Sequence, residues 1–81
     1  MNILKEARQK KALSQRDISE RLGYNTPQFV SNWERGLSAP PIESLNQISE
    51  ILELDVFVVK DYVFNFRANK IAEKVFQDQN K

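Results

Sequence analysis

A stripe of polar side chains runs along the stretch NTPQFVSNWERG, residues 25–36. At 100° per residue, Gln28, Ser31, Asn32 and Arg35 fall on one side of a helix, and most of the apolar residues fall on an opposite arc. Gln and Asn donate and accept hydrogen bonds at once, as recognition of adenine in the major groove requires, and Arg suits a phosphate oxygen. These residues could therefore read a DNA duplex, although surface helices in general have a polar face.

Residue types for catalysis are scarce. The 81 residues include no Cys and no His, which excludes disulfides, the usual zinc ligand sets, thiol nucleophiles and histidine acid–base chemistry. There is also no Gly-rich phosphate loop and no convergent set of carboxylates. We therefore expect no catalytic residue, no metal, no cofactor and no small-molecule ligand, and an enzyme is the least favoured class.

Charge is distributed unevenly along the chain. Residues 1–36 hold seven Lys/Arg and four Asp/Glu, whereas residues 37–81 hold five and seven. The basic surplus lies in the half that contains the polar stripe, which favours a nucleic-acid partner. The length suits one domain. No secretory signal or membrane span is visible, so we expect a cytoplasmic, nucleoid-associated protein without a membrane partner.

Helices must position the stripe, and local signals mark their ends. Ser14 is a natural N-cap for a second helix, and Gly23 is its expected stop. Thr26-Pro27 opens a third helix that Gly36 ends, so the two helices are joined by a tight turn. The four helices are expected at about residues 2–11, 15–22, 27–35 and 42–52. Their inward apolar residues should form the core, namely Ile18, Leu22, Val30, Trp33, Leu45 and Ile48.

Residues 56–81 are harder to interpret. The runs VFVV and YVFNF are rich in β-branched and aromatic residues, which favour strands. Sustained alternation is absent, however, and ANKIAEKVF is strongly helical, so we prefer a helix for this segment. The expected fold class is all-α, a compact arrangement of five helices.

A family resemblance adds to this interpretation. The strings LSQRDISERLG, VSNWERG and PPIESLNQISEIL resemble the lambda repressor-like, Xre/Cro-type helix-turn-helix family of bacterial and phage transcriptional regulators, over roughly residues 3–54. The resemblance rests on nine residues that stand where this family places the corresponding residue types: Gln15, Ile18, Ser19, Leu22, Gly23, Val30, Trp33, Glu34 and Gly36. The resemblance implies a helix-turn-helix formed by the second and third helices. Residues 1–55 would be the DNA-binding domain, and residues 56–81 would extend the same structural unit.

The resemblance also implies roles for individual residues. It places base contacts at Gln28, Asn32, Ser31 and Pro27. It places phosphate contacts at Gln15, Arg16, Arg35 and Ser38. Pro27 has no donor, so its contribution would be apolar or structural. Gln15 could instead cap a helix or face solvent, and Arg35 and Ser38 could simply be solvated. Arg8 and Glu34 resemble a pair that ties the first helix to the end of the third through a partly buried salt bridge.

The chain departs from the common family pattern in three places. Ser19 stands where Ala is usual, so its hydroxyl needs a helix carbonyl as partner. The turn before the third helix is one residue longer than in the shortest members, which can shift the register of that helix. The loop at residues 37–41 has no Lys or Arg, so phosphate affinity must depend on other cations. These are Lys5, Arg8, Lys10, Lys11, Arg16, Arg21 and Arg35.

A homodimer is the simplest DNA-binding form, because two copies can read half-sites in successive major grooves. The C-terminal segment is the expected dimer surface, with Tyr62, Val63, Phe66, Ile71 and Val75. Alternatively, this segment only completes the core of the monomer as a fifth helix. The favoured function is a dimeric repressor that binds a palindromic operator. The alternative is a protein-interaction module, antitoxin-like or adaptor-like, whose apolar C-terminal segment binds a different protein.

Overall fold

The computed structural model describes the backbone of residues 2–79 and the side chains of residues 2–69. Its helices are α1 (Ile3–Lys10), α2 (Gln15–Arg21), α3 (Gln28–Glu34), α4 (Leu45–Leu52) and α5 (Val56–Gln79), with a 3-10 turn (Ile42–Ser44) before α4. The described residues include no strand, so the all-α, five-helix prediction is confirmed and residues 56–66 are helical. The expected start of the fourth helix, near residue 42, is a 3-10 turn, which commonly precedes an α-helix.

Side-chain caps fix where α1 and α2 begin. The Asn2 Oδ1 atom accepts from the backbone N–H groups of Leu4 and Lys5, at 2.9 and 3.1 Å. Ser14 and Asp17 form a reciprocal capping box, in which each side chain accepts from the other residue's N–H, at 2.9 and 2.8 Å. Asn2 therefore lies outside α1 as its N-cap, although the sequence prediction placed it inside the helix.

The first four helices all end in the same way. A residue with left-handed backbone follows each helix, and the N–H of the next residue donates to a carbonyl five positions back, as in a Schellman motif. The left-handed residues are Ala12 (φ 56°), Gly23 (87°), Gly36 (74°) and Glu53 (55°). The bonds run from Leu13 to Arg8 (3.2 Å), Tyr24 to Ser19, Leu37 to Asn32, and Leu54 to Ser49 (each 2.9 Å). The sequence prediction recognised only the two glycine stops.

One apolar core joins all five helices. Its buried members are Leu4, Ala7, Ile18, Val30, Trp33, Leu45, Ile48, Leu52, Val59 and Val63. Leu22, which the sequence also assigned to the core, is partly exposed and packs against it. Tyr24 continues the core toward the surface, with its ring edge-on to Trp33 at 6.0 Å and tilted against Phe29 at 4.9 Å.

The position of α5 corrects part of the expected dimer surface. Val63 is only 3% exposed and lies in the core of its own chain, so its side chain is not on the surface. Tyr62 is half-buried and its hydroxyl is bonded within the chain. Phe66 is half-buried. The other two residues assigned to this surface, Ile71 and Val75, lie outside the residues whose side chains are described. The monomer core therefore extends into α5.

Ser19 also differs from expectation. Its side chain is 1% exposed, and its Oγ atom has no hydrogen-bond partner within residues 2–69. The helix carbonyl that was expected to accept from this hydroxyl does not do so. A buried hydroxyl without a partner destabilises the folded state, because it loses its hydrogen bonds to water without replacement.

Candidate nucleic-acid interface

The end of α3 is held by a two-bond ion pair between Arg8 of α1 and Glu34. The Arg8 Nε atom lies 2.7 Å from Glu34 Oε2, and Nη2 lies 3.0 Å from Oε1. The third nitrogen, Nη1, donates to the carbonyl of Leu13 at 2.8 Å. The hydrogen bond to Glu34 raises the pKa of Arg8, which keeps the guanidinium charged. Arg8 therefore holds the domain together. The sequence prediction also counted it as a cation for phosphate, and that part is wrong, because its guanidinium is engaged within the chain.

Asn2 makes a second connection to the end of α3. Its Nδ2 atom donates to the carbonyl of Trp33 at 3.0 Å and to the hydroxyl of Tyr62 at 2.7 Å. Burial raises the pKa of Tyr62, and the hydrogen bond from Asn2 opposes this shift. A single amide thus joins α1, α3 and α5. Sequence reasoning missed this role, although Asn directly before the apolar pair Ile3-Leu4 is an N-cap signal.

The outward side of α3 carries the polar stripe. Gln28 is exposed, whereas Ser31, Asn32 and Pro27 are half-buried. The Gln28 Nε2 atom donates to Asn32 Oδ1 at 2.9 Å, so the two amides are joined one turn apart. The opposite side is anchored in the core through buried Val30 and Trp33. The stripe is therefore presented by a helix whose inner side is fixed.

The start of α3 lies one residue later than predicted, because Pro27 is the N-cap and not the first helical residue. The helix begins at Gln28, whose backbone N–H donates to the Thr26 hydroxyl at 3.3 Å. Pro27 precedes the helix, and its carbonyl accepts from the N–H of Ser31 at 3.0 Å. Phe29, which falls on the apolar arc of the helix, remains 49% exposed and lies against the ring of Tyr24.

The residues assigned to phosphate contact have different surroundings. Gln15 is half-buried, and its Nε2 atom donates to Glu34 Oε1 at 3.1 Å, which joins it to the Arg8–Glu34 pair. Arg16 is exposed, and Ser38 is half-buried. Arg35 directly follows α3 and is exposed. The side chains of residues 2–69 include no ion-pair partner for Arg16 or Arg35, so both charges face solvent.

Lys5 and Lys11, which are both among the expected cations, have different surroundings. Lys5 lines the same shallow cleft as Arg35, between α1 and the end of α3. The sequence predicts Lys5 as a cation for phosphate, but its spacing does not show that Lys5 lies near Arg35. Lys11 forms an ion pair with Glu53, so it is less available to DNA. The basic residues around the stripe are therefore fewer than the sequence count suggests.

Two comparisons relate the chain to known proteins. A family model described as "Helix-turn-helix" matches residues 4–58. The chain is 35% identical over 78 residues to a relative named "Uncharacterized HTH-type transcriptional regulator YqaE" from Bacillus subtilis (strain 168). The match covers 96% of this chain and 60% of the relative. No solved structure matches the chain. Within the described residues, no helix is long and apolar enough to cross a membrane.

Proposed function

The chain belongs to the helix-turn-helix family, and from that premise we propose that it regulates transcription as a sequence-specific binder of double-stranded DNA. In this proposal α3 enters the major groove. The proposal rests on how α3 is held in the fold. Its inner side packs in the core, and its end is bonded to Asn2 and Arg8. Its amide-bearing side faces outward. Residues 1–55 contain this reading unit.

The dimensions of α3 suit this role. An α-helix with its side chains is about 10–12 Å across, and the major groove of B-DNA is about 12 Å wide. Because Val30 and Trp33 fix the inner side of the helix, little conformational freedom is lost when the outer side meets DNA. The amide groups of Gln28 and Asn32 then face base edges, with Ser31 beside them and Pro27 as an apolar neighbour.

Phosphate contacts in this proposal flank the reading helix. Arg35 follows α3 and Arg16 lies in the first turn of α2, and both are exposed. Gln15 keeps one amide N–H for a phosphate, because only one of its hydrogen-bond donors is engaged by Glu34. Ser38 supplies a hydroxyl from the loop after α3. Such contacts fix the position of the protein on the duplex without reading its sequence.

We infer that the protein binds as a homodimer through the outer side of α5. Phe57 is 74% and Phe64 is 69% exposed, and they lie seven positions apart on one side of the helix. Ile42, at 62% exposed, borders the same region, and Phe64 and Ile42 line an apolar groove. Large exposed apolar side chains in one patch mark interaction surfaces. This set replaces the buried Val63 that the sequence prediction assigned to the dimer.

Two copies related by a two-fold axis would place two α3 helices on half-sites in successive major grooves. A dimer on such a palindromic operator would exclude polymerase, which makes repression the simplest regulatory outcome. The protein would then act in the cytoplasm at the nucleoid. The exposed patch also supports the second candidate, a protein-interaction module in which a different protein, rather than a second copy, covers Phe57 and Phe64.

Selection of bound sites from a pool of random duplexes tests the DNA-binding proposal. The expected result is a two-fold symmetric sequence with half-sites about 34 Å apart, which corresponds to one turn of B-DNA. Enrichment of one unsymmetric half-site would support DNA reading by a monomer and refute the palindromic operator. The absence of any enriched sequence would refute sequence-specific binding itself.

Sedimentation of the intact protein tests the dimer. The variant Phe57→Ser/Phe64→Ser should shift the population toward monomer, because it removes exposed apolar surface that the proposed dimer would bury. Leu37→Ser is a matched control, since Leu37 is 58% exposed and lies in the loop that follows α3. A monomeric wild-type protein would refute the homodimer and favour the interaction module.

A further inference from the structure

We propose that Asn2 sets the half-site spacing that the dimer accepts, because it joins α3, the reading helix, to α5, the helix of the dimer surface. This inference rests on the proposed dimer and deepens it by naming a residue that acts on specificity through α3. In a symmetric dimer, the distance between the two copies of α3 depends on how each α3 is placed relative to its own α5. Asn2 is therefore a positioning residue.

Every hydrogen-bonding position of the Asn2 amide is used within the chain. Its Oδ1 atom accepts from the backbone N–H groups of Leu4 and Lys5, at 2.9 and 3.1 Å. Its Nδ2 atom donates to the Trp33 carbonyl at 3.0 Å and to the Tyr62 hydroxyl at 2.7 Å. A primary amide has two N–H groups and two acceptor lone pairs, so all of them are engaged.

Backbone groups fix which way this amide faces. The N–H groups of Leu4 and Lys5 can only donate, so the atom that meets them is the amide oxygen. The carbonyl of Trp33 can only accept, so it requires the amide nitrogen. If the Asn2 amide turned over, its nitrogen would face two donors and its oxygen would face an acceptor. The bridge from α5 through Asn2 to α3 therefore has one arrangement.

The two ends of the bridge lie where a dimer and DNA would each act. Trp33 is in the last turn of α3. Tyr62 lies on α5 between Phe57 and Phe64, whose exposed rings belong to the proposed dimer surface. Otherwise α5 packs chiefly against α4. Asn2 thus connects the helix of the dimer surface directly to the helix that reads DNA.

The apolar core specifies this placement less sharply than the bridge does. Trp33 and Val63 belong to the same buried cluster, so α3 and α5 also share apolar neighbours. Apolar burial is non-directional, whereas a hydrogen bond weakens when its distance or angle changes. One base pair shifts a half-site by about 3.4 Å along B-DNA and turns it by about 34°. A chain without the bridge should tolerate that change better.

Operators with altered spacing test the inference. The selected operator is compared with two versions, in which one base pair is inserted or removed between the half-sites. The spacing preference of a protein is the dissociation constant for an altered operator divided by that for the selected one. Because the half-sites themselves are unchanged, this ratio reports spacing alone.

Two variants break the bridge at opposite ends and keep the cap of α1. Asn2→Asp still accepts from the N–H groups of Leu4 and Lys5, and its second oxygen can accept from the Tyr62 hydroxyl, but it has no donor for the Trp33 carbonyl. Tyr62→Phe keeps the bond from Asn2 to Trp33 and loses the bond to α5. Urea denaturation checks that each variant is folded under the binding conditions.

Both variants should relax the spacing preference. Each should lower it by about 2- to 10-fold, the range for loss of one hydrogen bond. The double variant Asn2→Asp/Tyr62→Phe should act no more strongly than the stronger single variant, because either change alone already breaks the bridge. Discrimination between bases within a half-site should stay as in the wild type, a result that a general loss of structure would not give.

Ser14→Ala is the matched control for a general loss of stability. Ser14 caps α2 as Asn2 caps α1, and its Oγ atom accepts from the N–H of Asp17 at 2.9 Å, within the same helix. Its loss should destabilise the domain and leave the spacing preference unchanged. A relaxed preference in Ser14→Ala equal to that of the bridge variants would overturn the role of Asn2.

The remaining outcomes separate this inference from the proposed dimer. If the wild-type protein is a monomer or selects an unsymmetric site, the proposed dimer fails and this inference fails with it. If the wild type is a dimer that prefers one spacing, and both bridge variants keep that preference, only this inference is overturned. A relaxed preference in only one of Asn2→Asp and Tyr62→Phe would also overturn it, because the bridge needs both ends.

Discussion

Glu34 places its carboxylate against the guanidinium of Arg8 with two short hydrogen bonds, although the two residues are 26 positions apart in the chain. The Glu34 side chain is 4% exposed and that of Arg8 is 13% exposed, so the pair is removed from most of the solvent. Gln15 adds a third donor to Glu34. The last residue of α3 is therefore the point at which the first three helices are joined by polar contacts.

Replacement of Glu34 by Ala should strongly destabilise the domain, because it leaves the Arg8 charge buried without its partner. The expected loss in the free energy of unfolding is about 3–5 kcal/mol, measured by urea denaturation. The matched control is Arg8→Met/Glu34→Leu, which leaves no stranded charge and should lose less. If the double variant is destabilised at least as much as Glu34→Ala, the stranded charge is not the cause.

Replacement of Ser19 by Ala should stabilise the domain, because the buried Ser19 hydroxyl has no partner within residues 2–69. The expected gain in the free energy of unfolding is about 1–2 kcal/mol, from removal of the unsatisfied group and from the higher helix propensity of Ala. Ser49→Ala is the matched control, since the buried Ser49 hydroxyl donates to the Asn46 carbonyl at 2.9 Å. A loss of stability in Ser19→Ala would contradict the unpartnered hydroxyl.

Replacement of Ala12 by Gly should also stabilise the domain. Ala12 has φ of 56°, in a region that costs residues other than Gly roughly 1–2 kcal/mol. The greater freedom of Gly in the unfolded chain offsets about 0.4–1 kcal/mol of this, so a net gain of up to about 1.6 kcal/mol is expected. Thermal unfolding should show a midpoint a few degrees higher. The control Ala68→Gly, within α5, should instead lower stability.

Acid should weaken the cap of α2. The backbone N–H and hydroxyl of Ser14 lower the pKa of Asp17 from its ordinary value. Its contribution to stability is therefore complete above the unfolded-state pKa, about 3.9, and is lost as the pH falls through the lower folded-state pKa. The thermal midpoints of the wild type and Asp17→Ala are measured from neutral pH to acid. Their difference should be constant near neutral pH and should shrink as the pH falls through the folded-state pKa of Asp17. A constant difference down to the most acid pH would contradict this assignment.

Loss of Arg35 should weaken binding to every duplex. If its guanidinium contacts a phosphate, Arg35→Ala should reduce affinity for the operator and for random DNA alike. It should also reduce the slope of log affinity against log salt by about one unit. Gln28→Ala provides the contrast, because its loss should appear on the operator and leave the salt slope nearly unchanged. An unaltered slope in Arg35→Ala would count against the phosphate contact.

The parts of the fold that were predicted correctly depend on local chemistry. The Ser14 cap, the Gly23 and Gly36 stops and the period of the apolar residues act within a few positions, so they can be read from the chain itself. The resemblance to helix-turn-helix regulators is confirmed by the family match over residues 4–58. The side-by-side placement of Gln28 and Asn32 also follows from helical spacing.

The parts that could not be predicted depend on the packed chain. Ala12 and Glu53 end their helices in left-handed conformations that their residue types disfavour, so no local signal marked them. The bond from Asn2 to Tyr62 spans 60 positions. In α5, apolar residues occur on several sides within residues 56–66, so the sequence could not show that Val63 turns inward while Phe64 turns outward.

The single tryptophan of the chain, Trp33, lies in α3. Trp33 is buried on the inner side of that helix, with Tyr24 edge-on to it. Its indole emission therefore reports the environment on the inner side of α3, opposite the polar stripe. Blue-shifted Trp33 fluorescence would indicate that α3 is packed against the core. Energy transfer from Tyr24 would indicate that the turn between α2 and α3 is folded. The molecule thus carries an intrinsic optical probe of the helix that presents its amides.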